Sequence, residues 1–216
     1  MNEKRAASAR YLIGHGIPVH PNLPELEMLQ PRSAADVARR IAVLYALAGL
    51  AYDEVSGKSL KNWLVGDGVW PYVAADERSL FDREHLSKAE TNELGWNEES
   101  LFALCWAGGL VSSLDVARPR DLNPLFDHIP SAVPMDEFLA SFKLRSADAI
   151  GQMLDTYYCL HAAFEHPELW DEEDLERSKT PEESTGVPTA RIVARRQALE
   201  WLMSPGLEWH EVSLDT

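Results

Sequence analysis

Residues 33–52 read SAADVARRIAVLYALAGLAY, and the spacing of their apolar side chains decides the fold. Val37, Ile41, Leu44, Tyr45, Ala48 and Tyr52 recur at intervals of three and four, the repeat that gathers side chains on one stripe of an α-helix. Ser33 with Asp36 three residues later resembles a capping box, so an amphipathic helix is predicted to open there. Further on, Leu101, Phe102, Leu104, Cys105, Trp106 and Leu110 are apolar on most sides of a helix, with Asn97 as its expected cap. That segment is the expected central helix. Gly108 and Gly109 cost about 1 kcal/mol each in helix propensity, a cost that close approach of a neighbouring helix would offset.

Outward from these two helices the signals stay helical. Asn62 to Val65 close a short helix at Gly66-Asp67-Gly68, and residues 75–92 read as a helix with a charged outer face. Pro134 suits the first position of a helix through Phe142, Ser146 with Asp148 opens another to about Phe164, and Pro188 starts one through Met203. Between Pro119 and Pro134 only short turns fit. The first 32 residues are broken by Gly14, Gly16, Pro18, Pro21, Pro24 and Pro31, which predicts an extended arm with a short helix at residues 3–12. The expected architecture is all-α, an irregular compact multi-helix domain over residues 33–216 with the arm, residues 1–32, packed on it.

The 216 residues, 45% hydrophobic with seven tryptophans, suffice for one core. A net charge of -15 opposes nucleic-acid binding, because phosphates are held by lysine and arginine, and favours a basic protein partner instead. No 18-residue apolar run occurs, and Met1 to Arg5 lead into Ala6-Ala7-Ser8-Ala9-Arg10 rather than an apolar stretch. The expectation is a cytoplasmic protein that does not engage membranes. Cys105 and Cys159 lie in apolar helical patterns without a C-x-x-C partner and read as buried, reduced thiols.

Trp96-Asn97-Glu98-Glu99 running to Trp106-Ala107-Gly108-Gly109, Ala198-Leu199-Glu200-Trp201-Leu202, and Trp209-His210-Glu211-Val212 ending in Asp215-Thr216 form a specific combination. With Arg39, Arg40 and the stretch from Asp155 to Ala163, they make the chain resemble the bacterial domain-of-unknown-function family 4272, whose chemistry is uncharacterised. The resemblance implies a pattern of Asp, two variable residues, Tyr, Arg, one variable residue and His-Trp-Ala. Here Asp155, Tyr158, His161 and Ala163 match, while Cys159 and Ala162 replace the arginine and the tryptophan, and Ala194 stands where a glutamate is common. These departures weigh against catalysis in this chain.

Tyr157, His161 and Glu165 are four apart and share a helix face, an arrangement able to support acid–base chemistry in a pocket, or simply a polar seam between helices. His161 and His166, like His15 and His20, are spaced wrongly or too loosely for a ligand pair, and no metal or cofactor is expected. Arg195 falls between Ile192 and Leu199 on or beside an inward face, so its guanidinium needs a carboxylate; Glu99 and Asp155 are the candidates for a structural ion pair. Trp96, Trp106, Trp201 and Trp209 read as core.

From Glu165 to Glu183 nine carboxylates face only Arg177 and Lys179. Either this is a solvated loop, or Glu168, Leu169, Trp170, Asp171, Glu172, Glu173, Asp174 and Glu176 dock a basic protein, with Trp170 as apolar anchor. The functional expectation is a non-catalytic immunity or antitoxin protein that occludes or distorts a basic secreted toxin such as a nuclease. The alternatives are an enzyme using the Tyr157/His161/Glu165 face, or a housekeeping scaffold.

Overall fold

Ser33 accepts a hydrogen bond from the Asp36 backbone N–H (3.1 Å) and donates its hydroxyl to the Asp36 carboxylate (2.6 Å), and helix α2 (Ala34–Tyr52) follows directly. The computed structural model describes residues 2–27, 30–52, 55–125, 128–129, 133–170 and 180–215. In chain order its other helices are α1 (Glu3–Ile13), α3 (Gly57–Gly66), α4 (Ala75–Arg78), α5 (Lys88–Gly95), α6 (Asn97–Ala107), α7 (Met135–Ser141), α8 (Ala147–Glu165), α9 (Pro181–Thr185) and α10 (Thr189–Met203). Among the described residues there is no strand, and the protein is all-α.

The long helices pack as a series: α1 on α8, α8 on α10, α10 on α6, α6 on α2, and α2 on α5. Each central member contributes a fully buried aliphatic side chain to one continuous core, Ile41 from α2, Leu104 from α6, Leu160 from α8 and Leu199 from α10. No described helix is long and apolar enough to cross a membrane. Cys105 and Cys159 are free, buried thiols, and burial pushes the Cys159 thiol up to about 12.

Local boundaries differ from the sequence expectation where capping competes with periodicity. The helix expected over 75–92 is broken: α4 passes into a 3-10 turn at Ser79–Asp82, Arg83 is extended, and Ser87 restarts the chain as α5 through a capping box with Glu90. Asn97 is not a cap but the first residue of α6, because the preceding Trp96 already has helical dihedrals and joins α5 to α6. That leaves the Trp96 ring exposed rather than in the core. Pro134 and Pro188 stand one residue before their helices. The arm is helical over its first third, and α1 buries Arg5, Ser8 and Leu12.

Gly108 ends α6 beneath the buried ring of Phe142, and a Cβ there would run into that ring. The partner in close approach is thus a side chain after α7, and Gly109 takes a positive φ of 73° to turn the chain away. Gly108→Ala is expected to lower the unfolding free energy by about 1–3 kcal/mol through overpacking, measured by urea denaturation. Truncating Phe142 in the same chain should reduce the effect of the added methyl; an unchanged midpoint for Gly108→Ala alone would discount the close approach.

Candidate functional site

Glu99, in the first turn of α6, has no solvent exposure. Arg195 of α10 donates to its Oε2 from Nε (2.8 Å), with Nη2 at 2.7 Å, Arg120 donates to Oε1 (2.9 Å), and Arg191 lies 3.4 Å from the same oxygen. Arg195 also donates to the Tyr157 hydroxyl (2.9 Å) and to the carbonyl of Asp115 (2.8 Å). Burial drives the phenol of Tyr157 up to about 12, so it stays protonated. Arg120 in addition donates to Glu98.

Asp155 does not share this cluster. It faces the other side of α8 and is taken by Arg5 of α1, which donates to Oδ1 from Nη2 (2.9 Å) and Nε (3.0 Å). Ser8 donates to the second oxygen (2.7 Å), and the remaining Arg5 donors reach the carbonyls of Leu23 and Pro24. The two acids considered for Arg195 therefore serve different arginines, because α1 covers the α8 surface on which Asp155 sits. A third pairing joins α2 to α4, where Arg40 donates both terminal nitrogens to Glu77 (2.9 and 2.6 Å) beneath the Trp209 ring.

The Tyr157, His161 and Glu165 face is divided between partners. Tyr157 turns to Arg195, whereas His161 Nδ1 sits 2.5 Å from the Arg196 guanidinium and its Nε2 is 3.6 Å from Glu165. A guanidinium can only donate, so Nδ1 accepts and the imidazole proton is on Nε2. Arg196 also donates to the carbonyls of Leu214 and Asp215, fastening the C-terminal segment over α8 and α10. His166 lies against His20 with the rings tilted (4.9 Å between centroids) and is 2.9 Å from Glu168, rather than meeting His161. Among the described residues, no group of three or more His, Cys, Asp or Glu side chains is placed to hold a metal ion.

Trp170 is not an exposed anchor. It is buried against Phe164 (6.0 Å, edge-on) and donates its indole N–H to the carbonyl of Ala163 (2.9 Å), filling an orphan acceptor near the end of α8. Leu169 packs partly against the core, and Glu168 is exposed. Asp171, Glu172, Glu173, Asp174 and Glu176 lie outside the described residues.

The buried pairing roles of Arg5, Arg40, Arg120 and Arg196 were missed at the sequence level, though three of them carried a signal. Arg40 lies three residues after Val37 and four before Leu44, Arg196 four after Ile192 and three before Leu199, and Arg5 seven before Leu12, each on its helix's buried stripe. Arg120 lies outside any helix and had none.

Among the described residues, the geometry defines an all-helical domain whose elements are clamped by arginine–carboxylate pairs. The chain belongs to the family described as Domain of unknown function (DUF4272), whose model matches residues 4–212. No curated protein and no solved structure matches it.

Arg195→Ala is expected to cost about 3–5 kcal/mol, the range for breaking a buried pair. A double-mutant cycle with Glu99→Gln should show coupling of about 0.5–3 kcal/mol, and one with Asp155→Asn little; the reverse ranking would reassign the partner. Burial, with Arg196 adjacent, lowers the pKa of His161 below its ordinary 6.5. The unfolded chain then takes up this proton first, so stability is kept above about 6.5 and falls as pH drops towards the folded value. Glu200 acts in the opposite sense, because burial raises its pKa and protonation in the fold relieves that cost. His161→Gln should flatten the decline of the urea midpoint between about pH 7.5 and about pH 5.5; an identical slope in variant and wild type would remove His161 from the account.

Proposed function

We propose that this chain is a non-catalytic acidic binding protein, an immunity or antitoxin protein that neutralises a basic protein such as a secreted nuclease by covering or distorting its active site. The observation that supports this reading is the placement of charge. Among the described residues, the buried cations Arg5, Arg40, Arg195 and Arg196 are matched in number by the buried carboxylates Glu77, Glu98, Glu99 and Asp155. The interior is thereby neutral, and the excess of -15 is carried by the rest of the chain.

Such a surface attracts a phosphate-binding face and speeds encounter with it at low salt. With Trp170 in the core, recognition of this kind rests on charge more than on an apolar anchor. The test is to capture proteins from the source cell's lysate on the wild type and on a variant with Asp171, Glu172, Glu173 and Asp174 changed to serine, then assay any captured basic protein. Salt-sensitive capture of a toxic or nucleolytic protein whose activity the wild type suppresses, and the variant suppresses less, is the expected result. Absence of a basic partner at low and moderate salt, or a partner whose activity is unaffected, refutes the reading.

A further inference from the structure

Between α2, α3 and α6 lies an open cavity of about 550 Å³, within the size range of small-molecule sites. Its walls are apolar, with Leu60, Leu101 and Leu125 facing the rings of Tyr45 and Trp63, which meet edge-on at 6.0 Å between centroids. Tyr52, at the exposed end of α2, stands at the rim. The charged side chain lining it among the described residues is Glu98, itself buried.

We propose that this cavity binds a small organic ammonium ion, with its charge toward Glu98 and its apolar body against Tyr45 and Trp63. Three observations set the sign of the charge. Glu98 lines the cavity whereas its partner Arg120 does not, so it is the carboxylate of that ion pair that the cavity wall presents. The Tyr52 phenol at the rim is raised above its ordinary pKa, first by its hydrogen bond to Glu98, which ties that carboxylate to the mouth of the cavity. Finally, the net charge of -15 concentrates cations near the surface and disfavours anions. Aromatic faces add their own attraction for a cation and tolerate alkyl groups on nitrogen, which fits a primary to quaternary amine rather than a hydrated metal ion.

The test uses the full chain and four probes, followed by calorimetry and by tryptophan fluorescence: benzyltrimethylammonium, choline, 3,3-dimethyl-1-butanol (the uncharged carbon isostere of choline), and the anion phenylacetate. Benzyltrimethylammonium should bind more tightly than choline, and the isostere at least about tenfold more weakly than choline. Glu98→Gln should abolish the preference for charge. Because that change also touches the Arg120 pairing, Tyr52→Ala serves as the second variant; its exposed position leaves the fold intact, and its affinity for benzyltrimethylammonium should fall severalfold. Equal affinity for choline and its isostere, tighter binding of phenylacetate than of benzyltrimethylammonium, or no binding of the latter up to about 10 mM overturns the proposal.

Discussion

A carboxylate without solvent must be met by cations within reach of its own oxygens, and Glu99 is the group on which the arrangement of this protein depends. Through Arg195 it fixes α10 against α6, and the same guanidinium extends to Tyr157 on α8 and to the carbonyl of Asp115 in the connection that follows α6. Four parts of the chain are thus held by one side chain. Apolar packing between helices tolerates small slides, but a one-residue shift of α10 would rotate Arg195 by roughly 100° away from Glu99. The ion pair therefore supplies register where the hydrophobic core supplies cohesion.

The same device recurs at the ends of the chain. The ring of Tyr158 on α8 lies near two guanidiniums, Arg5 at 5.6 Å and Arg196 at 4.8 Å. Arg5 brings in α1, and Arg196 gathers the carbonyls of Leu214 and Asp215, so both ends of the described chain are fastened to one helix. Arg32 and Arg145 act at helix C-termini instead, donating to the carbonyls of Trp201 in the last turn of α10 and Ser204 just after it, and of Trp106 in the last turn of α6 and Val111 after it, and lying over the rings of Trp201 and Trp106. The Trp201 and Trp106 carbonyls are among the orphan groups every helix leaves, and a planar cation over an indole satisfies them without giving up apolar contact.

How much of this was legible follows from which signals are local. Helices α2, α6, α8 and α10 were readable because their periodicity and the caps at Ser33 and Ser146 agree. The inward position of Arg195 was readable for the same reason. Its partner was not, since choosing between Glu99 and Asp155 requires knowing that α1 covers one face of α8, and the Gly and Pro residues after Gly14 hid how firmly that helix is held. Trp170 misled in the other direction. Carboxylates on both sides suggested exposure, yet one indole N–H and one unfilled carbonyl at Ala163 suffice to bury it.

The thiol at position 159 takes on a physical sense in this arrangement. The arginine that the resemblance implies at position 159 would lie one turn beyond Asp155 and within reach of it along the same helix. Here Cys159 places its Sγ 3.9 Å from the Asp155 carboxylate, and the cation comes from Arg5. Because the charge comes from another element, the pairing is a bond between α1 and α8 that attaches the N-terminal segment to the core. A cation drawn from α1 thus satisfies Asp155 as one within α8 would, and in addition decides which parts of the chain that carboxylate connects.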